Sequence, residues 1–321
     1  TAETIMAKPV TQITLGIDVG KDQLVIHHWQ GEQIITLKNQ SSTIRTWLKQ
    51  LNGPIRMAVE ATSCYHLAMV EVALELDHTV YLVNGRQLAH YRHAVNVRNK
   101  TDIEDAYLLA RYLEHEAEQL RPYQPQSPQA QRLWCLILRR ATVVQSRQQL
   151  QQSMREVRFS IRSLVTQFQQ LLARLDRQIQ KLIRELGWWQ DYRYCLSIPG
   201  IGPVNAAALV AAYHRGAFAG SDAFIAYLGL DIRRRESGRF KGKSKLSKQG
   251  EPELRRLLFC ASKPARSYQR FADYHQRMRD KGLSKIAARV ALARKLARIA
   301  FTLMNRQLYF QNQGRTYCTA P

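Results

Sequence analysis

Asp102 and Asp105 stand three residues apart in RNKTDIEDAYLLA, residues 98–110. A helix would put both on one face, where two carboxylates could grip a single cation. Thr101 followed by Glu104 has the form of a capping box, which starts that helix at Thr101 and turns Glu104 back toward the cap. Acids in a first turn also serve the helix itself, because they complement the positive end of its macrodipole. Two further acids, Asp18 in ITLGIDVGK and Glu60 in IRMAVEAT, lie near the ends of apolar runs. Four clustered carboxylates would repel one another and raise one another's pKa unless a cation neutralised them. Hard oxygen donors of this kind suit Mg²⁺ or Mn²⁺, and a pair of ions can hold the attacking and leaving oxygens of a phosphodiester.

The elements that must bring these acids together are legible in order. ITLGIDVGK reads as a strand, and DQLVIHHW and EQIITLKN as two more, with a short polar link at Gln30–Gly31. SSTIRTWLKQL reads as a helix capped by Ser41 or Ser42, IRMAVEAT as a fourth strand, YHLAMVEVALELD as a helix and TVYLVN as a fifth strand. A basic segment from Arg86 to Lys100 then leads into the helix of Asp102 and Asp105. The order β-β-β-α-β-α-β-α is that of the ribonuclease H-like fold. Its first strand is central and its fourth lies beside it, so Asp18, Glu60, Asp102 and Asp105 are expected to converge at one edge.

Pro122, Pro125 and Pro128 mark a boundary. Beyond them a stretch without Gly or Pro carries Leu150, Met154, Val157, Ile161, Leu164, Phe168, Leu171 and Leu175 at alternating steps of four and three, a seam continued by Ile179, Leu182 and Leu186. That spacing predicts a coiled coil or helical hairpin. SIPGIGPVNAAALVAAY then has the shape of a helix-hairpin-helix element, in which Gly200 and Gly202 let backbone amides approach a phosphate. IRRRESGRFKGKSKLSKQG follows, a basic run interleaved with Gly and Ser. It reads as a solvated loop or as one that grips a nucleic-acid backbone through Arg233, Arg234, Arg235, Arg239, Lys241, Lys243, Lys245 and Lys248. It contains three hydroxyls, Ser237, Ser244 and Ser247, any of which could act as a nucleophile if a base or metal ion activated it. SKIAARVALARKLARIAFTLM closes the pattern as an amphipathic packing helix.

The formal net charge of +23, from 48 Lys+Arg against 25 Asp+Glu, calls for a polyanionic partner, and nucleic acid is the expected one. No apolar run approaches a spanning helix and no signal-peptide pattern opens the chain, so a DNA-associated cytoplasmic protein without a membrane partner is expected. Five scattered cysteines without CxxC spacing argue against a zinc site or disulfide framework.

Asp18 in GIDVGK, Glu60 in VEATSCY, and Asp102 and Asp105 in RNKTDIEDA resemble the Asp-Glu-Asp-Asp tetrad of the IS-one-ten / IS-eleven-eleven family of insertion-sequence transposases, relatives of the Piv pilin-gene invertase. IPGIGPVNAAALVA, AYLGLDIRRRESG and KLSKQGEPELRRLLF resemble that family's C-terminal domain. The resemblance runs from about Ile13 to Arg306. It implies a RuvC-like catalytic domain over 11–125, a coiled-coil linker over 126–190 and a transposase domain over 191–312. It also implies that Ser237 is the nucleophile, forming a 5′-phosphoserine link and exchanging strands through a Holliday junction. The partners implied are donor and target DNA, a structured noncoding (bridge) RNA as guide, and further copies of the chain in a dimer or tetramer. Two other readings fit the residues: a junction-resolving nuclease that uses the four acids to activate water, and a basic architectural protein that binds RNA or DNA without chemistry.

Overall fold

A strand buried on both faces belongs at the centre of its sheet, and Ile13–Val19 (β1) has that pattern, with only Ile13 and Asp18 half-buried. In the computed structural model, which describes residues 12–61, 65–157, 159–233, 236–237, 240–242, 244–311 and 318–319, the chain divides into two units, Thr1–Pro125 and Gln126–Pro321. In the first, β1 pairs antiparallel with β2 (Gln23–His28), which pairs antiparallel with β3 (Gln33–Lys38). After helix α1 (Ser41–Leu48), β4 (Ile55–Glu60) returns parallel to β1, and after α2 (Leu67–Glu75), β5 (Thr79–Val83) adds parallel to β4. The resulting order, β3-β2-β1-β4-β5, is the ribonuclease H-like one expected from the sequence.

Two expectations about helix starts change. The residue before α1 is Gln40, which makes no side-chain capping bond, and Ser41 and Ser42 lie inside the first turn. The basic segment after β5 is partly helical: α3 spans Gly85–Ala94, with the Asn84 side chain accepting from Gln87 N at 2.9 Å. Asn is a strong helix N-cap, which explains why a segment of low apolar content starts a helix there. The helix α4 (Asp102–Glu116) begins as predicted, with Thr101 Oγ1 accepting from Glu104 N at 3.2 Å.

Period-two alternation sorts the sheet residues. Leu15, Ile17 and Val19 share a core with Ile44 and Leu48 of α1 and Met69 of α2, whereas Ala58 and Val83 share one with Leu88 of α3 and Leu108 and Leu109 of α4. Gly16 and Asp18 therefore point toward α4. A Cβ on Gly16 would lie 2.0 Å from the Ala106 carbonyl oxygen, so the strand and helix approach as closely as they do only because this residue is glycine.

The second unit opens with α5 (Pro128–Glu156) and α6 (Arg162–Glu185). They pack side by side, with an Arg140–Asp176 ion pair across them. The continuous seam read from the sequence is thus broken between Glu156 and Arg162, and Val157 and Phe159 at the break are each 68% exposed. Neither Gly nor Pro marks that turn. Of the buried residues of the pair, Leu133, Ile137, Ile179, Leu182 and Ile183 join the core of this unit.

That core is built on α7 (Trp189–Leu196), α8 (Pro203–Tyr213), α9 (Ser221–Tyr227), α10 (Pro252–Ala265), α11 (Gln269–Asp280) and α12 (Lys285–Arg306). Between α9 and α10 the basic run forms short ladders: β6 (Ile232–Arg233) pairs antiparallel with β9 (Lys245–Leu246), and β7 (Glu236–Ser237) with β8 (Phe240–Lys241). No helix among the described residues is long and apolar enough to cross a membrane.

Candidate active site

Asp18 comes from β1, Glu60 from the last position of β4, and Asp105 from the first turn of α4. Because β1 and β4 are parallel neighbours and α4 lies over β1 at Gly16, the three side chains meet. Each offers a carboxylate oxygen, and these oxygens lie within 4.8 Å of one another. Asp105 is buried, and Asp18 and Glu60 are half-buried. Asp102, the first residue of α4, is exposed and stands outside this tight trio. Its charge still reaches Asp18. Burial, then the carboxylates of Glu60 and Asp102 and a hydrogen bond with Glu60, push Asp18 up to about 6.

Two residues that sequence reading passed over shape the trio. Arg92 on α3 forms an ion pair with Asp105 through Nη2 and Oδ1, with the two side chains only 13% and 8% exposed. Its Nε is buried without a hydrogen-bond partner among the described residues. Gly85, the first residue of α3, lies against Glu60: a Cβ there would fall 2.7 Å from Oε1. Glu60 thus sits at the positive end of a helix. The signal available in the sequence was Asn84 ahead of Gly85, a capping residue that announces α3 but not what α3 touches.

The donor set fits a divalent cation. Three carboxylates converge with one arginine as countercharge, and burial together with its acidic neighbours pushes the Asp18 carboxyl up. Oxygen-only donors of this kind suit a hard ion, and a cation bound there would polarise a phosphodiester and favour the ionised form of a coordinated hydroxyl.

Ser237 lies in the second unit, in the β7–β8 ladder opposite Phe240. Arg234, Arg235, Arg239 and Lys243 fall outside the described residues. Arg233 in β6 and Lys245 in β9 are exposed cross-strand partners, Lys241 pairs with Glu236 along the backbone, and Lys248 is exposed with φ 55°. The rival hydroxyl Ser247 donates to Asp231 Oδ1, while Ser244 is exposed. In the turn between α7 and α8, Gly200 has φ +87° and packs so closely on α10 that a Cβ would lie 2.6 Å from Ala265. Its glycine therefore has a packing reason. Gly202 has none: nothing lies within 4 Å of where its Cβ would be.

Comparisons with known proteins match both units. A transposase model of the DEDD IS110 type covers residues 15–158, and a second, described as "Transposase IS116/IS110/IS902 family", covers residues 192–276. The pilin gene-inverting proteins of Moraxella lacunata and Moraxella bovis are each 28% identical over 322 residues, covering 93% of this chain and 98% of theirs. A probable family 20 transposase of Pseudomonas aeruginosa is 34% identical over 151 residues, 44% of this chain and 42% of that one. The solved structure of T. thermophilus RuvC in complex with a Holliday junction substrate aligns at 14% identity and a TM-score of 0.27, over 35% of this chain and 99% of that one. At that score the likeness bears no weight, and the fold of the first unit rests on its own strand order.

Proposed function

As this chain belongs to the IS110/IS116 family of transposases, we propose that it cuts and rejoins DNA strands at a divalent-metal site, with Ser237 as nucleophile and a guide RNA choosing the DNA. The observation that carries the reading is the convergence of Asp18, Glu60 and Asp105, with Asp102 at its rim. Those four are the metal ligands of the proposal, and Mg²⁺ or Mn²⁺ is the ion. Glu60 lies against the start of α3 and Asp105 is paired with Arg92, which supports two ligands oriented before any substrate arrives.

In the reaction, Ser237 Oγ gives up its proton and forms a bond to the scissile phosphorus. The bond from phosphorus to the 3′ oxygen breaks, and the 3′ hydroxyl leaves with a proton. The strand's 5′ phosphate is then esterified to Ser237. Attack by the 3′ hydroxyl of another strand reverses the step and releases the serine, passing through a Holliday junction when two strands have exchanged. A serine hydroxyl is a weak nucleophile near neutral pH and needs this activation. Arg233, Arg234, Arg235 and Arg239 hold the phosphate, and Lys241, Lys243, Lys245 and Lys248 hold the flanking backbone. The α7–α8 turn acts as a helix-hairpin-helix element that offers amides at Gly202, where no neighbour obstructs a phosphate. The α5–α6 pair acts as a coiled coil that joins copies of the chain into a dimer or tetramer. The domains of the proposal are 11–125, 126–190 and 191–312. A net charge of +23 supports a guide RNA in addition to donor and target DNA.

Two measurements test this. Purified with its bound nucleic acid, the chain should carry one discrete RNA, and loss of that RNA should abolish site choice. Incubated with that RNA, matched DNA and Mg²⁺, it should yield covalent protein–DNA adducts that Ser237→Ala eliminates. The acid trio lies wholly within the first unit, which favours a second reading as a junction nuclease that activates water. Free 5′ phosphates from both the wild type and Ser237→Ala would establish that reading instead.

A further inference from the structure

The helices α11 and α12 carry a charge imbalance that ion pairs do not offset. Between Gln269 and Arg306 there are ten Lys and Arg residues against two acids, Asp273 and Asp280. Both acids are engaged by neutral partners: Gln269 Nε2 donates to Asp273 and Gln276 Nε2 to Asp280, each at 2.8 Å. Among the described residues, only Arg298 of the ten has a carboxylate within ion-pair distance, that of Asp222. Isolated cations on a helix are commonly just solvated, but these are gathered. Lys295 Nζ lies 4.2 Å from the centroid of the Tyr274 ring. Arg270 and Arg277 stand four residues before and three after Tyr274, on the same helical face, and both are exposed. Arg294, next to Lys295, has its Nε buried without a hydrogen-bond partner among the described residues.

We propose that the face of α11 and α12 around Tyr274, formed by Arg270, Arg277, Arg294 and Lys295, is a docking surface for the phosphate backbone of duplex DNA. Among the described residues none of these four cations has a carboxylate at ion-pair distance, and gathered charges of one sign raise the folded chain's energy until a polyanion covers them. Burial and then the charges of Arg277 and Arg270 lower the pKa of Lys295, and burial and Arg298 lower that of Arg294, in keeping with cations that await an anion. A duplex is preferred over a single strand because Lys295 already lies over the Tyr274 ring, where a stacked base would have to compete with it. The surface belongs to the second unit and the acid trio to the first. DNA as partner rests on the transposase reading, but the binding needs no chemistry.

The test measures binding of the full chain to a 30-base-pair duplex of arbitrary sequence by fluorescence anisotropy, in EDTA, over a salt series. Removing one cation that neutralises a phosphate should flatten the slope of log K against log salt by about one, so Arg270→Gln with Arg277→Gln should flatten it by about two. Arg270→Lys with Arg277→Lys should keep the wild-type slope, and so should Lys38→Gln with Lys49→Gln, two exposed cations of the first unit. Both glutamine positions on α11 are exposed, and an unchanged thermal transition checks the fold. A slope unaltered by the α11 pair, or flattened equally by the first-unit pair, overturns the proposal. So does a defect confined to an RNA hairpin assayed in parallel. Because no metal is present, failure of the cleavage reading at Asp18 or Ser237 leaves this outcome untouched.

Discussion

Arg92 of α3 pairs with Asp105 of α4 inside the carboxylate trio, and it supplies the trio's only ion pair among the described residues. The arginine fixes one oxygen of Asp105, while an Asp105 oxygen remains within reach of Asp18 and Glu60. An arginine cannot release its proton at any ordinary pH, so its charge is constant where that of Asp18 varies.

Removing one partner of a buried pair leaves the other charge uncompensated, at a cost of about 3–5 kcal/mol. Arg92→Ala is therefore expected to lower unfolding stability by roughly 3 kcal/mol in EDTA. Excess Mg²⁺ should restore part of the loss, because a bound cation replaces the missing charge. Denaturant unfolding with and without Mg²⁺ reads both numbers, and an equal loss in the two buffers would show that Arg92 has nothing to do with cation binding.

Gly16 and Gly85 respond differently to alanine. At Gly16 the added Cβ meets a backbone oxygen that cannot move aside, so Gly16→Ala should cost about 3 kcal/mol or more. At Gly85 it meets only the movable tip of Glu60. Gly85→Ala should thus keep the melting temperature within a few degrees yet weaken Mn²⁺ binding roughly tenfold, by displacing a ligand. Paired calorimetry and Mn²⁺ titration distinguish the two outcomes.

The pH dependence follows from Asp18, raised in the folded chain from 3.8 to about 6. Between those values the folded chain holds more protons at this position than the unfolded chain does. The contribution of Asp18 to stability is therefore full below about pH 4 and is lost as pH rises through about 6. In metal-free buffer, the stability difference between the wild type and Asp18→Asn should shift against the wild type over that window. Mn²⁺ competes with the same proton, so its affinity should climb with pH through about 6 and then level off. A pH-independent difference would show that neither burial nor the neighbouring acids raise Asp18.

Ser247 and Ser237 separate cleanly. Ser247 is hydrogen-bonded to Asp231, so Ser247→Ala should cost about 1 kcal/mol and leave covalent adducts in place. Ser237→Ala should remove the adducts. Denaturing gels of both variants check the assignment.

Asp18 and Glu60 were legible because apolar alternation fixes strands, strands fix order, and that order puts the ends of β1 and β4 together. Thr101 gave the start of α4, and with it the position of Asp105 in the first turn. What could not be read depends on contacts distant in sequence or on turns without a residue signature. Arg92 looked like one more cation in a basic segment, since nothing local says that it faces Asp105. The seam through Val157 and Ile161 keeps its helical spacing across residues where the chain turns back, so periodicity left a coiled coil and a helical hairpin both open and did not place the turn. Asp102 and Asp105 share a helix turn but not an environment. Distance from the Gly16 contact, which spacing does not encode, leaves the first exposed and the second buried.

The most direct measurement is a Mn²⁺ titration of the full chain at a pH of about 7.5, where carboxylates are ionised, read by electron paramagnetic resonance, for the wild type, Asp18→Asn and Asp105→Asn. If the trio is the metal site, the wild type binds Mn²⁺ and each variant loses at least about tenfold in affinity with its fold intact. Equal binding by all three folded proteins would contradict the site, and with it the metal-dependent strand cleavage built on it.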